Sequence, residues 1–152
     1  MKGSAEDQYQ LFKLYTEGKG VRKDLRAAFA WVMRAAEQDH IKAQFDLAKC
    51  YVKGIGVNAN WEAAFECFKK LAEKGIPRAL FLLGYCYKNG YGVNADERKW
   101  LELLEKAAAK GDKTAIRYVE SEKRRMAGRA GALYAENDDF LGWNDPYWGL
   151  SN

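Results

Sequence analysis

The chain has 152 residues, of which 48% are hydrophobic and 30% are charged, and its formal net charge is +4. This composition is typical of a soluble folded domain and excludes a disordered chain, and no apolar run approaches the ~18 residues that span a bilayer. The charge is unevenly distributed, because no Lys or Arg follows Arg129, whereas Glu136, Asp138, Asp139 and Asp145 do.

A short glycine phrase recurs along the chain at a fixed interval. Gly-x-Gly-Val begins at Gly18, Gly54 and Gly90, so that successive copies are 36 residues apart. A fixed period of this length predicts one helical hairpin repeated along the chain, in which each copy buries its apolar face against the next. The predicted elements are repeats at 4–39, 40–75 and 76–111 and a capping helix at 112–127.

The first repeat is the least regular of the three. Asp7 stands where the second repeat has Ala43, as expected for a terminal repeat that faces water on one side. Asp24 is predicted to cap the second helix of this repeat, because its side chain can accept a backbone N–H of the first turn. His40 falls in the turn to the next repeat and is expected to be a capping or solvated residue rather than a general base.

The second repeat shows most clearly which residues begin and end the helices of the unit. Its first helix is predicted at 41–53, and Gly54 ends it because glycine adopts the left-handed backbone conformation at little cost. Gly56 is expected to permit a tight path for the loop. Asn60 is predicted to cap a second helix, which runs from about residue 61 to 74.

The third repeat and the segment after it follow the same pattern. Ala79, Leu83 and Tyr87 form the apolar face of the first helix, and Asp96 is predicted to cap the second. A lone helix at about 113–126 has no glycine loop after it. We expect it to cap the stack of repeats.

These phrases resemble a known family. Residues 47–57 and 83–93, which read LAKCYVKGIGV and LGYCYKNGYGV, and residues 24–37 resemble the Sel1-like repeat, a relative of the tetratricopeptide repeat. The resemblance implies an all-α fold, an α/α solenoid whose first helices line a concave surface. It also implies a scaffold or adaptor role in protein–protein interaction, often in bacteria. Some small family members resemble immunity proteins that neutralise secreted toxins, and this stays the alternative function.

Little in the sequence points to catalysis. Cys50 and Cys86 are one repeat apart and Cys67 lies on another helix, so we expect three reduced, packed thiols. The chain has neither the ligand spacing of a zinc site nor the glycine spacing of a phosphate loop. The sequence therefore predicts no enzyme, no metal and no cofactor.

The first helix of each repeat, called helix A below, carries a candidate binding surface on the residues that lie off its predicted packing face. These partner-binding residues are Tyr9, Lys13, Lys42, Phe45, Lys49, Arg78, Phe81, Tyr85, Lys88, Arg117 and Arg124. Aromatic anchors inside a positive rim suit an acidic or aromatic-bearing segment of a protein. The alternative is that Phe45 and Phe81 only pack against a neighbouring helix. Nucleic acid is not favoured, because the net charge is modest and no recognition module is present.

Residues 130–152 are predicted to form a C-terminal extension, separate from the repeat domain at 1–129. Its aromatic content is unusual for a disordered tail and predicts docking through Phe140, Trp143, Tyr147 and Trp148. Three modes stay open: the extension lies across its own helices, inserts into a second copy in self-association, or caps the final helix.

The N-terminal residues contain no apolar stretch of the kind found in a secretory leader. The sequence as it stands therefore predicts a cytoplasmic protein without membrane insertion. A periplasmic protein is expected instead if a leader has been removed.

Overall fold

The computed structural model describes residues 3–127, which form seven α-helices and no strand. The helices are α1 (Ala5–Glu17), α2 (Leu25–Glu37), α3 (Ile41–Lys53), α4 (Trp61–Glu73), α5 (Pro77–Asn89), α6 (Glu97–Ala109) and α7 (Lys113–Met126). Helices α1, α3 and α5 are the three helices A, and α7 stands in the position of a fourth. The predicted all-helical fold of three repeats and a further helix is confirmed. None of the described helices is both long enough and apolar enough to cross a bilayer.

Side-chain caps start the second helix of every repeat. The side-chain oxygens of Asp24, Asn60 and Asp96 each accept a hydrogen bond, at 3.1 Å, from the backbone N–H three residues further on. Each cap satisfies one of the N–H groups that the first turn of a helix leaves without an intrahelical partner. The sequence prediction of these three caps is confirmed.

Gly54 ends α3 as the sequence predicts. Its φ of 73° is in the left-handed region, and its N–H donates to the Cys50 carbonyl oxygen at 2.8 Å. This bond satisfies a carbonyl at the end of the helix, where an L-residue with a side chain would be strained.

Gly56 has a second purpose, since it allows its loop to contact the preceding repeat. A Cβ atom at this position would lie 2.1 Å from the Leu25 carbonyl oxygen and 2.9 Å from Phe29 Cβ, both on α2. Gly20 holds the same place in the first repeat with nearly the same φ, 74° against 72°, yet no described atom lies within 4 Å of its added Cβ. Gly56 is therefore needed for contact between repeats as well as for the turn.

The chain divides into two compact units, and the boundary falls inside α4 between Cys67 and Phe68. In the first unit the buried core consists of Tyr9, Phe12, Ala28, Val32, Ala35, Ala36, Ala43, Leu47 and Cys50. Alanines of α2 and α3 let the helices approach closely. Phe29 and Tyr51 pack against this core and meet edge to face, with ring centroids 5.5 Å apart.

In the second unit α5 is buried over its whole central part, residues 78–86. Gly84 sets the distance to α6, because an added Cβ would lie 3.1 Å from both the Leu103 Cβ and the Trp100 ring. The Trp100 ring meets Phe81 of α5 at 6.0 Å and Tyr118 of α7 at 5.1 Å, in both cases edge to face. Trp100 therefore joins three helices of this unit.

Candidate partner-binding surface

The predicted partner-binding residues divide into a buried set and a surface set. Buried are Tyr9, Phe45, Arg78, Phe81 and Tyr85. At the surface are Lys13, Lys42, Arg117 and Arg124, which are exposed, and Lys49 and Lys88, which are half-buried. The predicted docking residues of the C-terminal extension, Phe140, Trp143, Tyr147 and Trp148, lie outside the described residues.

The burial of Phe45 and Phe81 corrects the prediction that these two rings lie on an open face. Phe45 is 1% exposed and Phe81 is 0% exposed, which agrees with the alternative that they pack between helices. The physical reason is visible in α5, whose residues 79–86 are apolar or small around the entire helix, and such a helix is buried on every side. The two rings are therefore part of the packed interior rather than of an exposed surface.

In the first unit Tyr9 forms a hydrogen bond with a carboxylate. Its hydroxyl donates to Asp46 Oδ2 at 2.6 Å, which joins α1 to α3. Burial raises the pKa of Asp46, while the Tyr9 hydrogen bond and the charges of Lys49 and Lys13 act to lower it. Sequence reasoning missed this pair, because Asp46 interrupts no apolar pattern and has no equivalent carboxylate in the other repeats.

Lysine side chains of α1 and α3 lie at the surface of the first unit. Lys13 Nζ lies over the Tyr9 ring, 6.0 Å from its centroid, and a cation in that position is attracted by the ring. Lys42 is exposed one turn before Asp46. The charges of Lys13 and Lys49 act on the Asp46 carboxylate, whereas the charge of Lys42 acts on the exposed carboxylate of Glu6.

His40 begins α3 and contacts α1. Its Nδ1 accepts from the Ala43 N–H at 3.1 Å, so the proton lies on Nε2, which donates to Glu6 Oε2 at 2.7 Å. This hydrogen bond holds the pKa of Glu6 below its usual value. The predicted capping role of His40 is confirmed.

In the second unit a buried arginine joins α5 to α7. Arg78 Nη2 donates to Thr114 Oγ1 at 2.7 Å, and its Nε lies 3.3 Å from Asp112 Oδ1. Asp112 in turn caps α7 by accepting from the Ala115 N–H at 2.9 Å. Burial raises the pKa of Asp112, whereas the charge of Arg78 lowers it. Arg78 thus links α5 to α7 in the interior and is not part of an exposed positive rim.

Lys88 shows how the surface cations of this unit are positioned. Its Nζ lies 5.9 Å from the Tyr85 ring centroid and 6.0 Å from that of Tyr118. Arg117, which precedes Tyr118, and Arg124 are exposed on α7. Among the predicted partner-binding residues the aromatic side chains are therefore buried, and the residues that remain at the surface are basic. Two of the lysines, Lys13 and Lys88, lie over aromatic rings of the protein itself.

The described residues offer little reactive chemistry. Burial raises the pKa of the free thiols of Cys50 and Cys86 to about 12, which disfavours the nucleophilic thiolate. Cys67 is also a free thiol and is half-buried. In residues 3–127 no group of three or more His, Cys, Asp or Glu side chains is placed to hold a metal ion.

Comparison with known proteins gives the family and the fold. The Sel1 repeat family model matches residues 5–40, 41–76 and 77–112. The comparison with curated proteins finds no match. Among solved structures, a Sel1 repeat protein from Oxalobacter formigenes is 30% identical over 85% of this chain and 52% of its own, with a TM-score of 0.67.

Two further structures are similar. The protein c5321 of uropathogenic Escherichia coli, described as a protective antigen with an SLR fold, is 32% identical over 83% of this chain, with a TM-score of 0.71. Cysteine rich protein B of Helicobacter pylori is 18% identical over 75% of this chain and 96% of its own, with a TM-score of 0.57; at this identity it supports the fold alone. The chain covers 52% of the Oxalobacter protein and only 27% of c5321.

Proposed function

The chain belongs to the Sel1 repeat family, and on this premise we propose that it is a non-catalytic adaptor that binds an acidic segment of a partner protein through the surface cations of its helices A. Sel1 repeats are generally protein-interaction scaffolds. Because the chain spans only part of the two relatives that are 30% or more identical to it, the proposal uses the role of the family and not that of either protein.

The observation that carries the proposal is the positioning of these cations. Lys13 rests on the Tyr9 ring, and Lys88 on the rings of Tyr85 and Tyr118. A long side chain that is already held in place loses less conformational entropy when a partner binds it. The buried rings thus support recognition indirectly, by holding the head groups that a partner would meet.

The chemistry of the partner follows from these head groups. Ammonium and guanidinium groups donate hydrogen bonds and accept none, so they suit carboxylates. Exposed charge pairs contribute more to association rate and specificity than to affinity, and salt weakens them. Aromatic side chains of the partner can add cation–π contacts with Arg117 and the lysines. We therefore expect a salt-sensitive complex with an acidic segment.

Charge reversal on the helices A and on α7 tests the proposal against a matched reversal elsewhere. The test variant carries Lys13→Glu, Lys42→Glu and Arg117→Glu, and the control variant carries Lys69→Glu, Lys70→Glu and Lys106→Glu, which are exposed on α4 and α6. Both variants change the net charge equally. Capture of partner proteins by the immobilised chain should fall at least about tenfold in the test variant, because several favourable contacts become repulsive, and should be retained in the control. Equal losses in both variants, or none in either, would contradict the proposal.

The same capture experiment distinguishes the adaptor from the alternative, an inhibitor that neutralises a secreted toxin. An adaptor should bind several partners, each with affinity near the micromolar range, whereas a dedicated inhibitor should bind one partner with a Kd of about 1 nM or below. Titration calorimetry on each captured protein measures this difference.

A further inference from the structure

One side of α7 is less covered than the matching side of α5, the helix A one repeat earlier. Ile116, Val119, Glu120 and Lys123 are spaced three and four residues apart and so share a face of α7. The positions 36 residues earlier on α5 are Leu80, Leu83, Gly84 and Tyr87. Leu80 and Leu83 are buried, whereas Ile116 and Val119 are only half-buried and Glu120 and Lys123 are exposed. We call these four residues of α7 its outer face.

The outer face is not shaped for another packed helix. On α5 this side contacts α6, and the contact is close at Gly84, where even a Cβ would lie 3.1 Å from the Trp100 ring. Glu120 stands at the Gly84 position and carries a full charged side chain. A helix could not approach α7 as α6 approaches α5 without burying this carboxylate, which is costly when it is not paired. A segment that covers the outer face must therefore lie further from the α7 axis than α6 lies from α5, so that the Glu120 carboxylate stays in water.

The charge of α7 and of the chain after it are complementary. Basic residues on α7 are Lys113, Arg117, Lys123, Arg124 and Arg125, against Glu120 and Glu122. Glu122 is paired with Arg125 at 2.8 Å. After Arg129 the sequence contains carboxylates and no Lys or Arg. An acidic, aromatic-rich segment thus follows directly on a basic helix with two half-covered aliphatic side chains.

We infer that residues 130–152 dock on the outer face of α7 in the same molecule. Their aromatic side chains cover Ile116 and Val119, and carboxylates of the segment face Lys123 and Arg124. The length is sufficient, because α7 is about 21 Å long and the segment can extend over about 75 Å. Asn144-Asp145-Pro146 disfavours a continuous helix, which agrees with a face that excludes close helix packing.

This docking would occupy Arg124, one of the predicted partner-binding residues, but it does not involve the lysines of α1, α3 and α5. Docking on the outer face would complete the last repeat of the stack. It would also shield aliphatic surface that could otherwise join two molecules end to end.

Photo-cross-linking in the full chain tests the placement directly. Glu120 is replaced by benzoylphenylalanine, which reacts with neighbouring groups on illumination, and a control chain carries the same residue at Glu105, exposed on α6. Mass spectrometry should find position 120 linked to residues 130–152 within a single chain. Links that join two chains would show docking on a second copy, and a segment linked equally from positions 120 and 105 would show no specific docking. Either result would overturn the inference.

A charge exchange shows whether the ion pairs contribute. Lys123→Glu with Arg124→Glu should lower the yield of the link from position 120 about fivefold, the order expected when two exposed ion pairs become repulsive. Adding Asp138→Lys and Asp139→Lys should restore it. Because the rescue reverses two charges in the segment and leaves α7 unchanged, recovery cannot come from a general effect on stability. A yield that falls and is not restored would refute the assignment of these carboxylates to α7.

Discussion

Replacing Gly56 by alanine is expected to destabilise the first unit far more than the same change at Gly20. Both glycines have a positive φ, 72° and 74°, so each alanine would incur about 1–2 kcal/mol of left-handed strain, offset by roughly 0.4–1 kcal/mol from a less flexible unfolded chain. At Gly56 the new Cβ would also lie 2.1 Å from the Leu25 carbonyl oxygen. Relieving that overlap requires movement of backbone, at about 1–3 kcal/mol.

The two variants form a matched pair, since they share residue type, loop position and unit. Gly20→Ala should lower the free energy of unfolding by about 1 kcal/mol, and Gly56→Ala by about 3 kcal/mol. Urea unfolding followed by far-UV circular dichroism measures both. Losses that agree within about 0.5 kcal/mol would refute the reasoning, because the close contact between repeats would then contribute nothing beyond the turn.

Three further changes test the packing and the buried charges. Phe45→Ala should cost about 3–5 kcal/mol, against under about 1 kcal/mol for Leu101→Ala at a position 46% exposed; similar thermal shifts for the two would show that Phe45 is not a core residue. Arg78→Met should cost about 3 kcal/mol or more at neutral pH, and less in acid, where protonated Asp112 needs no cation; denaturant titrations at two pH values test this. Because burial raises the pKa of Asp46, ionisation of this group lowers stability as pH rises through the raised value. Asp46→Asn should therefore gain stability over the wild type above that pH, and the gain should disappear below about pH 3.9; a gain that grows in acid would contradict this.

The repeat architecture could be predicted from the sequence because each of its signals is local. A glycine with positive φ and a capping side chain mark helix ends wherever they occur, and Gly54 and Asn60 both do so in the structure. Because the signals recur every 36 residues, the helix ends assigned in one repeat predict those in the next.

The candidate surface could be predicted only in part, because burial depends on what surrounds a helix. A periodic pattern identifies one packing face, yet α5 is buried through residues 78–86. The continuous apolar run in that segment was the available signal for full burial. The Arg78–Thr114 bond also had a signal, since the two residues are one 36-residue period apart. The bond between Tyr9 and Asp46 had none, because it joins positions that have no equivalent pair in the other repeats.

The central claim is that the surface cations of the helices A contact the partner. Lysine labelling with and without a captured partner tests this claim most directly. Acetylation of the native chain, read out by mass spectrometry, compares Lys13 and Lys42 with Lys69 and Lys106 on α4 and α6, all of them exposed. The account predicts that the partner slows labelling of the first pair and leaves the second pair unchanged. Protection confined to Lys69 and Lys106 would contradict it.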